Sequence, residues 1–365
     1  MSSASGSILI PDSYTRTQPQ SSLKQGIIMA VIAVLSCAVI LPFMKLYYEV
    51  PASMVCFWRY FLTSVYCIPI SLIIWKKKNS EIDYKEVYTL ETLKELFLGG
   101  FCFALGFYFM VLSADYTLIM HTSAITNTGG ILSVVISLIA CTQIHRFEIY
   151  GTILVCIGVC GFLLDNTSEK MHGETNIILG DFIALFAMPC YLVSYINNAK
   201  ACKKMPSLIV FHIFMVVQVI SFGAYFLLFS KIPWQTLFSD DIKDGFFGWS
   251  KPEFIFYSLV IVTPICGIIG TGSGVMLLEY FPAHIVAGIY LLDPFATQVV
   301  SVIINLDGYP SLTTCIAAVF ITIGLGLSIR GNQLQKLEAL LEPSYEAKIA
   351  LNSVELSEKS VHQNL

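Results

Sequence analysis

Residues 283–306 read AHIVAGIYLLDPFATQVVSVIINL. One charged side chain, Asp293, interrupts the run, and Pro294 follows it directly. A helix needs about 20 apolar residues to cross the hydrocarbon core of a bilayer. A soluble surface helix would show a polar face; this stretch shows none. It therefore reads as a membrane helix. An ionisable group at such depth is costly, and the proline beside it cannot donate to the helix ladder. The centre of this helix is the first place to look for function.

The rest of the chain repeats the pattern. Of its 365 residues 56% are hydrophobic and 13% charged, and mean hydropathy is +0.73. Soluble domains carry about 25% charged residues. Nine further apolar runs span Gly26–Met44, Met54–Trp75, Leu96–Leu112, Leu118–Cys141, Ile149–Leu164, Ile177–Ala199, Leu208–Ser230, Phe254–Leu278 and Leu312–Ile329. Within all ten, only Arg59, Asp181 and Asp293 are charged. This excludes an ordinary soluble enzyme, a disordered chain and a nucleic-acid binder. Strand alternation of the membrane-barrel type is absent. The expected class is an all-α integral membrane protein of ten transmembrane helices.

Lys and Arg orient it. Fifteen extramembrane basic residues fall on the side of the N-terminus and five on the other, which predicts both termini in the cytoplasm. Residues 1–25 read as a disordered cytoplasmic segment with no cleavable signal, so the first span acts as an uncleaved anchor. Residues 331–365 read as a polar cytoplasmic tail, with Leu334, Leu337, Leu340 and Leu341 at helical spacing. The sequon Asn166-Thr167-Ser168 lies almost against the fifth span, too close for efficient glycosylation. Eleven Cys show no Cys-x-x-Cys pair and six His no metal spacing, so neither metal nor cofactor is expected.

Five spans lie on each side of an outer linker, residues 165–176, and an odd number inverts the second half relative to the first. The halves, residues 26–164 and 177–330, share weak internal similarity. Asp115-Tyr116 is followed fourteen residues on by Gly130, and Glu279-Tyr280 fourteen residues on by Pro294. Ile157-Gly158 and Ile323-Gly324 mark the last helix of each half. Two inverted five-helix repeats are the expected architecture.

Several short motifs resemble the drug/metabolite transporter superfamily, and within it the EamA-like ten-span carriers. They are Pro42-Phe43-Met44-Lys45, Arg59-Tyr60, Ala114-Asp115-Tyr116-Thr117, the glycine-rich run Gly151–Leu164, Gly180-Asp181, Tyr280-Phe281-Pro282-Ala283 and Asp293-Pro294. Gly129-Gly130 stand where that family often has an acid- or Ser-Pro pair, and His145-Arg146 where it has Glu-Arg. The resemblance implies a cavity built mainly from the first, third, fourth, sixth, eighth and ninth spans.

The expected function is a secondary carrier that moves a small polar metabolite by alternating access. Its substrate site is expected at Asp293, Tyr290, Gln298, Asn127, Thr126 and Tyr191. Asp293 would bind an amine or accept a proton, and Asn127 offers both donor and acceptor. Tyr195, Asn198 and Tyr108 are weaker candidates. Lys45 and Arg59 read as cations snorkelling to the outer interface, His121 and His284 as anchors at opposite mouths, and Asp181 as a helix-start residue. No Walker motif is present, which disfavours ATP-driven transport. The expected partners are a small-molecule substrate and the lipid bilayer, with no nucleic acid; a homodimer stays open. Three alternatives remain: a nucleotide-sugar or phosphorylated-metabolite exchanger, a non-transporting receptor or scaffold, and an intramembrane enzyme. An enzyme is disfavoured because no paired carboxylates occur within the spans.

Overall fold

A computed structural model describes residues 23–47, 49–78, 87, 89–141, 144–164, 176–306 and 308–335. Ten helices in it are long and apolar enough to cross a membrane: α1 Leu23–Lys45, α2 Ala52–Lys77, α3 Leu90–Ser113, α4 Ile119–Ile139, α5 Arg146–Leu163, α6 Ile177–Lys204, α7 Ser207–Leu228, α8 Pro252–Leu277, α9 Ala283–Ile303 and α10 Leu312–Gln335. Ten crossings return the chain to its starting side, here called the N-side; the other is the far side. Of the expected flanking segments, residues 1–22, residues 165–175 with the sequon, and the tail from residue 336 lie outside the described residues. Gly331–Gln335 continue α10 as helix.

Large apolar side chains crowd the outside of the bundle. Ile178, Ile139 and Leu228 are among the most exposed residues. On a soluble protein such a surface would be an aggregation hazard; against lipid tails it is the favourable one. Polar groups are turned inward instead, with Thr63, Ser113, Thr122, Ser123, Ser194 and Gln218 fully buried.

Four spans depart from a regular α-helix. In α1 the helix is interrupted at Ala38–Val39 and resumes at Ile40, because Pro42 has no N–H to offer the carbonyl four residues earlier. Span α4 breaks at Asn127–Thr128, between Ile119–Thr126 and Gly129–Ile139. Span α9 tightens into a 3-10 turn at Tyr290–Leu292 before Asp293 and Pro294 restart it. Span α8 is wound as a π-helix over Tyr257–Thr271, around Pro264. The hydroxyls of Thr263 and Thr271 donate to carbonyls five residues back, Ser258 and Cys266, as that wide winding allows.

Glycines set the closest crossings. Along α3, Gly99 and Gly106 let the backbone approach α6 at Asn198 and Ala187. On the other side of the bundle α1 packs along α8. Spans α4 and α9 cross near their breaks, so the first half of each touches the second half of the other. At the crossing a methyl group on Gly130 would sit 2.9 Å from Gly288 Cα. Spans α5 and α10 meet where Gly151 faces Gly324 and Gly158 faces Ala317. Small residues at helix seams are the usual way for membrane helices to gain packing energy.

The α7–α8 connection folds back onto the bundle on the far side. Trp58 Nε1 donates to the Gly245 carbonyl at 3.0 Å, and the Phe246 ring stacks on Phe57 at 4.3 Å.

Candidate functional site

The breaks in α4 and α9 put side chains, rather than backbone hydrogen bonds, at the middle of the bundle. Asp293 opens the second half of α9, where the helix N-terminus favours a negative charge. Its Oδ2 accepts from Ser123 Oγ at 2.6 Å and from Asn127 Nδ2 at 3.3 Å, both on α4. Asn127 Nδ2 lies equally 3.3 Å from Ser123 Oγ. The Thr297 hydroxyl, one turn further along α9, lies beside the carboxylate as well. Ser123 was not among the sequence candidates. The available signal was its i, i+4 spacing to Asn127, which places both on one helical face.

A partly open cleft with a cavity volume of about 50 Å³ adjoins this carboxylate. Asp293, Tyr290, Asn127 and Tyr191 all line it, so the structure brings four of the six expected site residues together. Tyr195 and Asn198 line it too. Thr126 does not: its hydroxyl turns back to the Thr122 carbonyl at 2.8 Å. Gln298 is fully buried one turn beyond Asp293, away from the cleft, and among the described residues its amide finds no hydrogen-bond partner. Tyr108 packs instead against Phe109 and Phe222.

Aromatic rings form the walls. Tyr195 and Tyr290 stack with centroids 6.0 Å apart. Phe103 meets Tyr191 edge-on at 5.0 Å, and the Tyr191 hydroxyl reaches Met110 Sδ at 3.4 Å. The lining comes from α1, α3, α4, α6, α8 and α9, as the resemblance implied, with Arg59 of α2 and Phe214 of α7 added.

Arg59 corrects a sequence expectation. It does not snorkel to an interface: 2% of it is exposed, and it lines the cleft. Its Nη2 donates to Thr271 Oγ1 at 2.6 Å and to the Cys266 carbonyl at 3.4 Å. Its guanidinium carbon sits 4.2 Å from the centroid of the Phe107 ring. The Tyr60 side chain also lies beside the guanidinium, whose carbon is 5.3 Å from that ring's centroid. The π-winding of α8 creates this berth, because it turns the Cys266 carbonyl and the Thr271 hydroxyl toward one point.

Ionic pairs occupy the two ends of the bundle. On the far side Lys45 Nζ lies 3.2 Å from Asp115. There too Asp181 accepts from Thr117 at 2.6 Å and faces the buried His121 at 3.5 Å, so Asp181 does more than start a helix. On the N-side Lys204 Nζ lies 2.8 Å from Glu95, and His284 3.3 Å from Glu148. Among the described residues no three His, Cys, Asp or Glu side chains gather as a metal site.

Comparison with known proteins places this geometry. Residues 24–164, the stretch from α1 to the end of α5, match the model of the EamA-like transporter family. That stretch, under half of the chain, is similar to EamA-like transporters. Several solved structures resemble this chain. In one, a crystal structure of a protein 11% identical in sequence, the alignment covers 85% of this chain and 99% of the other, with a TM-score of 0.60. At that identity the likeness speaks for the fold alone. No curated protein matches the sequence closely.

Proposed function

We propose that this EamA-like protein is a secondary carrier that moves a small polar metabolite through its central cleft by alternating access. The observation that carries the reading is Asp293. It is a buried carboxylate placed at the crossing of two interrupted helices, held there by neutral donors and facing a partly open cleft. Transporter sites form where discontinuous helices meet near the midplane. Asn127, Tyr290 and Tyr191 would contact the solute beside Asp293, and Ser123 would hold the carboxylate in place.

In this reading residues 26–164 and 177–330 are inverted repeats that rock against each other, with both termini cytoplasmic. The reciprocal packing of α3 on α6 and α1 on α8, and the paired breaks of α4 and α9, support it. Asp293 is the coupling group. In reconstituted vesicles Asp293→Asn is expected to lower flux at least tenfold and to flatten its pH dependence. Unchanged flux with an unchanged pH profile removes Asp293 from the mechanism. A nucleotide sugar or other phosphorylated solute fits less well: the cleft offers one cation, Arg59, and an acid also lines it. A multiply charged anion needs more compensation than that.

A further inference from the structure

A second cavity, larger than the cleft, lies on the far side. Its volume is about 190 Å³, against about 50 Å³ for the cleft, which is room for several waters or a small solute. Met44, Lys45, Val55, Val111 and Asp115 help to line it, with the Lys45–Asp115 pair at its exposed end. Among the described residues Leu41 alone lines both this cavity and the cleft. It is 3% exposed. By contrast, the small cavity beside Glu148 and His284 on the N-side shares no lining residue with the cleft.

Leu41 sits on the short second piece of α1, Ile40–Lys45, which the break at Ala38–Val39 separates from the rest of the span. That piece packs chiefly on α4, α8 and α9. The cavity fills the space between it and α2 and α3. Ile40 lines the cleft, Met44 and Lys45 line the cavity, and Leu41 touches both. A helix end joined through a break can pivot, and here open volume lies beside it. An apolar side chain at a constriction excludes water and polar solutes, so it closes a passage without any hydrogen bond. Pivoting the piece would move Leu41 and pull on the Lys45–Asp115 pair together.

We propose that this cavity is a far-side antechamber for the solute, and that Leu41 is the barrier residue between it and the cleft. This rests on the carrier reading above and deepens it, by naming where the solute enters and what holds it back. The unequal cavities give the passage a direction: on the far side one side chain divides the cleft from a solute-sized space.

The test is thiol labelling in vesicles with a membrane-impermeant maleimide applied from one side at a time. One full-length protein carries Cys37 in the cleft as its sole cysteine; another carries only Val55→Cys, in the antechamber. The antechamber cysteine is expected to react from the far side and not from the N-side. Leu41→Ala is expected to speed far-side labelling of Cys37 by about fivefold or more, and to leave its N-side rate within about twofold. Leu41→Trp, which enlarges the barrier, should slow far-side labelling of Cys37 by about fivefold while the antechamber cysteine stays within about twofold. The two substitutions act in opposite directions, so either decides the matter where the other fails to fold. An unchanged far-side rate in Leu41→Ala, an equal gain from both sides, or a Leu41→Trp that slows both cysteines alike overturns the proposal. So does an antechamber cysteine closed to the far side. Labelling needs no solute, so it stands apart from the Asp293 flux assay above. Labelling as expected with flux unaltered by Asp293→Asn sinks the carrier mechanism and keeps the barrier; the opposite pair of results removes only the barrier.

Discussion

Ser123 and Thr126 sit three residues apart on α4, and both are fully buried hydroxyls. Only one of them serves the cleft. Ser123 donates to Asp293 at 2.6 Å, whereas Thr126 spends its hydrogen on the carbonyl of Thr122 in its own helix. A hydrogen bond to a charged group contributes about 1.5–3 kcal/mol, and one to a carbonyl less. Ser123→Ala is therefore expected to lower flux by about tenfold in the vesicle assay, while Thr126→Ala stays within about twofold of wild type. Equal losses would mean that the Asp293 contact is incidental. Asn127, Tyr191, Tyr290 and Asp293 could be picked out in the sequence because polar groups in a lipid-bound helix need a reason to be there. Arg59 could not. One turn inside a span, snorkelling and burial are equally open to a long cation, and the choice is made by the Thr271 hydroxyl and Cys266 carbonyl, more than 200 residues away in sequence.

At the scale of the element, apolar runs locate the spans well and their ends poorly. Span α3 begins at Leu90, six residues before the apolar run, because Glu91, Lys94 and Glu95 fold as its first turns. Glu95 can do so because Lys204, at the extended end of α6, neutralises it. Charged residues thus mark where the lipid ends, not where the helix ends. The break in α9 follows from Pro294, but the one in α4 has no proline. It lies at Asn127–Thr128, just ahead of Gly129-Gly130. Those glycines answer a packing need. Adding a methyl group at Gly130 would bring it 2.9 Å from both Gly288 Cα and its amide nitrogen. Backbone cannot swing aside as a flexible side chain can, so Gly130→Ala must push α4 and α9 apart. The expected cost is about 1–3 kcal/mol, seen as a lower unfolding temperature of the purified protein. Gly223→Ala in α7, where nothing lies within 4 Å of the new methyl group, should hold or raise that temperature, since alanine is the better helix former. A matched drop at both sites would show that general helix effects, not the crossing, set the cost.

For the whole molecule, alternating access asks that each mouth be closed by contacts that can be exchanged for those of the other. On the proposed mechanism the ion pairs at the two ends would serve as these contacts, and α3 takes part at both ends. At its N-side end Glu95 meets Lys204 of α6; just past its far end Asp115 meets Lys45 of α1. The Lys45–Asp115 pair is partly exposed and contributes about 1 kcal/mol or less to its closed state, so removing it should shift the balance of states by about fivefold and no more. The Lys204–Glu95 pair is largely buried, so breaking it should shift the balance further. The direction is the informative part. Glu95→Gln should favour opening to the N-side, and Asp115→Asn opening to the far side. Cys37 lines the cleft on α1 and can report this. In a background where it is the sole cysteine, a membrane-impermeant thiol reagent applied from each side measures access. Glu95→Gln is expected to speed labelling from the N-side and slow it from the far side, with Asp115→Asn giving the opposite result. If both variants speed labelling from the same side, the pairs are not opposing gates, and the proposed rocking of the two halves would need contacts elsewhere in the bundle.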